Sequence, residues 1–380
     1  MRTMKQMGTK KTGRILNDSE RCAWLRLART ENVGPATFAL LIARFPDPRE
    51  ALDAAPHLAR RGGGKTLQIC SEDDAKRELA TLEKLGGRLI AHCEPEFPKA
   101  LAALDPPPPV IAVLGHISLF EHENIAVVGA RNASALGLKL AARIATDLGA
   151  AGLNIVSGLA RGIDSAAHQA SIKTGTIAVV ADGIDVVYPP ENQKLYEAIR
   201  AEGAIVSEMP PGVAPQARHF PRRNRIISGL ARGTVVIEAA ARSGSLITAH
   251  FALEQGREVF AVPGSPLDPR AHGGNRLIRD GATLTESAED ILSVLRPMLG
   301  QAFEEPPHED QPPPADTQTL EDEADRVRAL VEEKLSPAPV AVDELIRQCE
   351  APAQAVLTVL LELELAGRIA RYPGHQVAWA

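Results

Sequence analysis

From residue 125 to residue 262 the sequence repeats one rhythm: a short run of Val, Ile and Ala, a turn of Gly, Ser or Pro, then a stretch with helical spacing. The runs cover 125–130, 154–157, 176–181, 204–207, 234–238 and 258–262, and intervening stretches such as 134–151 and 245–255 read as helices. The interiors of the runs are apolar, with polar residues only at their ends and none at every second position. A strand of that kind is buried on both faces, and strands alternating with helices make a parallel sheet with helices above and below. The expectation is an α/β fold: a doubly wound, mostly parallel sheet over about 105–298.

The flanks differ. Residues 1–17 form a basic tail expected to be disordered, and 18–104 read as a helical domain. Within it, Gly34-Pro35 joins two apolar helical stretches, a pattern like a helix-hairpin-helix or SAM-like unit, where second-helix amides can hold a phosphate. A plain turn in a small bundle has the same signature. Residues 105–109, Asp-Pro-Pro-Pro-Pro, read as a stiff connector. Residues 299–323 are acidic and Pro-rich, and are expected to be a disordered linker. Three helices and a hairpin through Pro373-Gly374 then suggest a winged-helix-like domain over 324–380. Its third helix carries only Glu362 and Glu364 as charges. That helix would be repelled by phosphates, so a protein-contact or regulatory role is favoured over groove reading.

The net charge of -6 speaks against a nucleic-acid partner only until it is mapped. Nine carboxylates and no Lys or Arg lie between Leu299 and Asp325, and without them the chain carries +3. Local potential, not the chain average, governs binding. Four scattered cysteines (Cys22, Cys70, Cys93, Cys349) never approach C-x-x-C spacing, which speaks against a zinc site and fits a reducing compartment. With no apolar run long enough to span a membrane and no signal peptide, the chain is expected to be cytoplasmic.

Doubly wound sheets bind ligands where strands end and helices begin. Three such ends are rich in small residues with an arginine: Gly129-Ala130-Arg131-Asn132-Ala133-Ser134, Ser157-Gly158-Leu159-Ala160-Arg161-Gly162-Ile163-Asp164, and Arg242-Ser243-Gly244-Ser245 after the strand ending in Glu238. Amides and hydroxyls at helix starts favour anions, although each loop alone is equally a tight turn needing glycine. A fourth segment, Phe220-Pro221-Arg222-Arg223-Asn224-Arg225, lies in a stretch from Met209 to Arg232 with five arginines and no carboxylate. Unpaired guanidiniums fit a sugar-phosphate backbone, although Arg225 also reads as an ion partner for Glu208 or Glu238. Phe220 reads either as a stacking platform for an open base or as a core residue. Aromatics are only 3% of the chain, so phosphates would supply most of the affinity.

Catalytic readings are weaker. Asp164 and His168, four apart on one helix, lack a nucleophile, and together with Glu208 and Glu238 they read as loop-organising groups. Neither G-x-G-x-x-G at the first strand end nor G-x-x-x-x-G-K-[ST] anywhere is present. No metal, cofactor or catalytic residue is assigned, and the expectation is a binding protein rather than an enzyme. The alternatives are a phosphoribohydrolase-like nucleotide-handling enzyme, whose P-G-G-x-G-T-x-x-E signature is missing, and a regulator that senses a nucleotide through the same loops.

These residues resemble the DprA/Smf family, the DNA-processing proteins of bacterial transformation. The shared pieces are Val127-Gly129-Ala130-Arg131 with Ser134, Ser157 to Asp164 with His168, Tyr188-Pro189, Ser207-Glu208, Phe220 to Arg225, Ser243 to Ala249, Pro263-Gly264, Gly274-Asn275 and Gly281-Ala282, in family order across about 95–295. The resemblance implies an extended Rossmann-like core that binds and protects single-stranded DNA, forms a homodimer and helps load the recombinase RecA. It implies a DNA pocket of Arg131, Ser134, Gly158, Arg161, Phe220, Arg222, Arg223, Asn224 and Arg225, with Ser243 and Ser245 adding contacts. One departure is Ala181-Asp182-Gly183, where relatives commonly have glycine first.

Overall fold

The computed structural model describes residues 13–64, 66–303, 317–372 and 374–380. Most of the basic tail expected over 1–17, the centre of the linker expected over 299–323, and Pro373 of the expected hairpin lie outside the described residues.

Four helices come first: α1 (Asp18–Arg29), α2 (Pro35–Arg44), α3 (Pro48–Arg61) and α4 (Glu72–Lys84). Asn17 and Glu20 close a reciprocal capping box on α1, each side chain accepting the other's amide at 3.0 Å. Gly34 and Pro35 start α2 as a glycine cap and a first-turn proline should. The chain continues through β1 (Arg88–Ala91), α5 (Lys99–Ala102), β2 (Val110–Gly115), β3 (Asn124–Gly129), α6 (Ala135–Ala150), β4 (Asn154–Ser157), α7 (Ile163–Ser171), β5 (Thr176–Val179), α8 (Gln193–Glu202) and β6 (Ala204–Ser207). Then follow α9 (His219–Gly229), β7 (Gly233–Ile237), α10 (Gly244–Glu254), β8 (Glu258–Ala261), α11 (His272–Arg279), β9 (Thr283–Leu284) and α12 (Ala288–Leu295). The last unit holds α13 (Thr317–Lys334), β10 (Val340–Ala341), α14 (Val342–Cys349), α15 (Ala353–Leu365), β11 (Ile369–Tyr372) and β12 (Gln376–Trp379).

The nine-stranded sheet runs β1-β2-β6-β5-β4-β3-β7-β8-β9. All its pairs are parallel except β1–β2 and β2–β6 at one edge. Val127 of β3 packs with Ile144 of α6, Ile163 of α7 and Ile291 of α12 on one face. Its neighbour Val128 packs with Ile226 of α9 and Ala249 of α10 on the other. Both faces are apolar, which explains why the strands show no polar alternation.

Two expectations need correction. The stretch 18–104 is not wholly helical: β1 joins the sheet, so the sheet begins before the proline run rather than after it. Four residues are too short for a readable period, and their partner β2 lies beyond the prolines. Secondly, helix α13 begins at Thr317, inside the stretch read as linker and earlier than the expected start near Asp325. Its acids face cations of the N-terminal helices, with Glu321 3.2 Å from Arg44 and Asp325 2.8 Å from Arg61. Tertiary pairing outweighs a composition that alone favours an open chain. Leu361 and Leu365 of α15 likewise enter the core of the N-terminal helices, so the last unit is docked there. No described helix is long and apolar enough to cross a membrane.

Candidate nucleic-acid interface

Strand order reverses between β3 and β7. The chain leaves β3 for α6 on one face and β7 for α10 on the other, which opens a crevice above their carboxyl ends. Carboxylates pin the loops there. Glu238, in left-handed backbone at φ 53, accepts the Ser134 amide at 2.8 Å and also the Ser134 hydroxyl. Ser134 in turn caps α6 by accepting the Gly137 amide at 2.9 Å. Asp164 accepts the amides of Gly158 at 3.1 Å and Ala160 at 3.3 Å. Burial raises the Asp164 pKa, opposed by Arg223 and by those two amides. His168 is fully buried with Nδ1 2.7 Å from the Thr176 hydroxyl, and burial pushes its pKa down to about 3, so the ring is neutral.

Arg223 is the post beneath the crevice. It is 7% exposed and donates to the carbonyls of Val179, at 2.7 Å, and Gly158. A Cβ on Gly158 would fall 2.2 Å from the Arg223 guanidinium, so this position requires glycine. Nearby Asp182, of the departing Ala181-Asp182-Gly183 turn, has its pKa raised to about 6 by burial against the pull of Arg223.

The sequence reading set Arg222, Arg223, Asn224 and Arg225 together facing a ligand, and the structure divides them. The segment is helix α9, so His219, Arg223, Ile226 and Ile227 point into the molecule at helical spacing while Arg218 and Arg222 point out. Asn224 is buried and donates to the Gly244 carbonyl at 3.2 Å. Arg225 forms an ion pair with Glu208, one of the two partners its position suggested. Gly158 and Ser245 are buried, and Ser243 caps α10 with its hydroxyl 2.7 Å from that of Ser245.

The outward groups remain. Arg131, Arg218, Arg222 and Arg242 are exposed, and among the described residues none of them has a carboxylate within ion-pair distance. Arg161 is exposed and pairs with Glu191 at 2.5 Å. Phe220 is half-buried, and the Arg131 guanidinium lies 5.2 Å from its ring centre. The Tyr188 ring, 42% exposed, is tilted against Phe220 at 5.8 Å. Tyr188 is absent from the residues singled out as site-forming, and its rarity in an aromatic-poor chain was the available signal. Beyond Arg222 and Arg218 the surface continues into a cleft of about 680 Å³ that reaches Gly34 and Pro35 of the N-terminal helices and Glu364 of α15.

Residues 88–296 match the family model described as DNA recombination-mediator protein A. Residues 18–81 match a DprA-like N-terminal HHH domain and 311–375 a DprA winged helix domain. The chain belongs to the DprA/Smf family. Protein Smf of Synechocystis sp. is 32% identical across 94% of this chain and 98% of its own length. The DNA processing protein DprA of Bacillus subtilis, another member, is 44% identical over 58% of this chain and 75% of its own. Among solved structures, DprA from Streptococcus pneumoniae superposes with a TM-score of 0.60 at 34% identity, covering 71% of this chain and 95% of that one. DprA from Helicobacter pylori, described for its single-stranded DNA binding mode, superposes at 0.52 with 25% identity, covering 56% and 97%. Family membership therefore spans all three units of the fold.

Proposed function

We propose that this chain binds single-stranded DNA at the strand-end crevice and acts by binding, without catalysing a reaction on the strand. The observation that carries the reading is the outward set of Arg131, Arg218 and Arg222 around the Tyr188–Phe220 pair. Guanidiniums without carboxylate partners suit phosphates, and the exposed Tyr188 ring beside the half-buried Phe220 suits bases not engaged in a duplex. The Helicobacter pylori relative, whose structure concerns single-stranded DNA binding, supports the same ligand. Arg131, Arg161, Arg222, Phe220 and Ser243 are assigned direct contact. Ser134, Gly158, Arg223, Asn224, Arg225 and Ser245 position the loops and the helix that present those contacts.

Titration of oligo-dT by fluorescence anisotropy across a salt series tests the reading. Affinity should fall with salt at a log-log slope of about -0.7 per neutralised phosphate. Absent or salt-independent binding rules it out. Family membership extends the proposal to a cytoplasmic homodimer that protects incoming strands and loads RecA during transformation or recombination. Sedimentation of the free chain, and RecA filament assembly on coated strands with and without it, test those two parts.

A further inference from the structure

The seam between the last unit and the N-terminal helices carries a cluster of ion pairs beside its apolar contacts. Arg61 of α3 meets Glu362 at 2.7 Å and Asp325 at 2.8 Å, and Arg44 of α2 meets Glu321 at 3.2 Å. Glu362 is fully buried there. Arg44 is only partly served, since its Nε and Nη1 are buried without an acceptor among the described residues. The start of α2 has no side-chain cap, and Glu364 lies close, its Oε1 3.9 Å from where a Cβ on Gly34 would sit. Carboxylates thus stand before two guanidiniums and near the uncapped first turn of α2, positions that phosphates would also suit. The cleft leading from Arg222 and Arg218 reaches the Gly34 start of α2 and Glu364, while Arg44 stands at the other end of that helix.

We infer that the α2–α3 face is a second contact surface for the phosphate backbone of a single strand, held covered by the acidic helices of the last unit until a strand displaces them. The inference rests on the single-strand reading above. Arg44 would gain acceptors it now lacks, and a strand leaving the crevice past Arg222 and Arg218 follows a cleft that reaches Gly34 and whose two carboxylates, Glu208 and Glu364, are each paired with an arginine.

Gly62 supplies the test. It closes α3 at φ -70 and ψ 0, a conformation open to alanine, but a Cβ there would lie 2.0 Å from the Glu362 carbonyl oxygen. Gly62→Ala in the full chain should lift the last unit from the N-terminal helices without removing any cation. Glu321→Lys, which turns an attraction into a repulsion, serves as the second variant, and small-angle scattering reads the undocking. An undocked variant should bind oligo-dT roughly tenfold more tightly, with a salt slope steeper by about 1.4, the share of two further phosphates. Arg44→Ala with Arg61→Ala in the Gly62→Ala background should abolish both gains. Undocking with unchanged affinity and slope, or failure of both variants to undock, overturns the inference while wild-type binding keeps the crevice reading intact. If neither wild type nor variant binds oligo-dT, both readings fall together.

Discussion

The crevice and the interdomain seam are both rich in arginine, and they use it in opposite ways. In the seam, Arg44, Arg61, Arg328, Arg368 and Arg371 each meet a carboxylate. In the crevice, Arg223 and Arg225 are turned inward onto carbonyls and Glu208, while Arg131, Arg218 and Arg222 face solvent. A guanidinium's role therefore follows from its place on the helix turn and not from its membership of an arginine-rich run. Substitutions should separate the two kinds cleanly: inward groups should govern stability and outward groups ligand affinity.

The most severe test is Arg223→Met. It strips the carbonyls of Gly158 and Val179 of their donor and leaves Asp164 and Asp182 without their cation. Removing one partner of a buried charge network costs about 3–5 kcal/mol, which urea unfolding will read; a loss within ordinary surface scatter would mean that the crevice floor does not depend on this side chain. Next comes His168. Its folded pKa of about 3 lies below the ordinary 6.5, so the unfolded chain takes up a proton that the folded chain refuses. Stability is complete above pH 6.5 and falls as the pH drops toward 3, by up to about 1.4 kcal/mol per pH unit. In His168→Gln that slope should flatten in urea melts taken between pH 4.5 and 7.5. If wild type and variant run parallel, the ring is not held neutral.

Smaller effects sharpen the comparison from the ligand side. Phe220→Ala should weaken oligo-dT binding by about 1–3 kcal/mol, the range for one stacked base. Equal affinities would return Phe220 to a purely packing role. Smallest is Arg222→Ala: a few-fold loss of affinity, a salt slope shallower by about 0.7, and an unchanged melting temperature. Arg225→Ala should leave the slope alone. The reverse outcome for that pair would erase the distinction between inward and outward arginines.

Much of this architecture is legible in the chain. Runs such as 154–157 and 204–207 coincide with β4 and β6 residue for residue, because strands buried on both faces keep an apolar interior and lack polar alternation. The loops after β3, β4 and β7 were recognisable from Gly, Ser and Arg at strand ends. The facing of α9 was less apparent. Treating 218–225 as a charge block hid the helical period that sends Arg223 inward and Arg222 outward. Tyr188 escaped because its neighbour Phe220 lies 32 positions along the sequence, and only folding brings the rings together. The pairing of Glu321 and Glu362 with Arg44 and Arg61 is likewise invisible locally, being a contact between the two ends of the chain.

The tethering of the crevice loops from below, by Glu238, Asp164 and Arg223 after β3 and β4 and by Asn224 after β7, has one more consequence. A receptor whose floor does not yield leaves all the bending to its guest. A lone strand swivels freely about each sugar and can follow such a contour, whereas a duplex resists curvature over roughly 150 base pairs. Selection at a surface of this kind operates through the guest's suppleness, before any base is inspected.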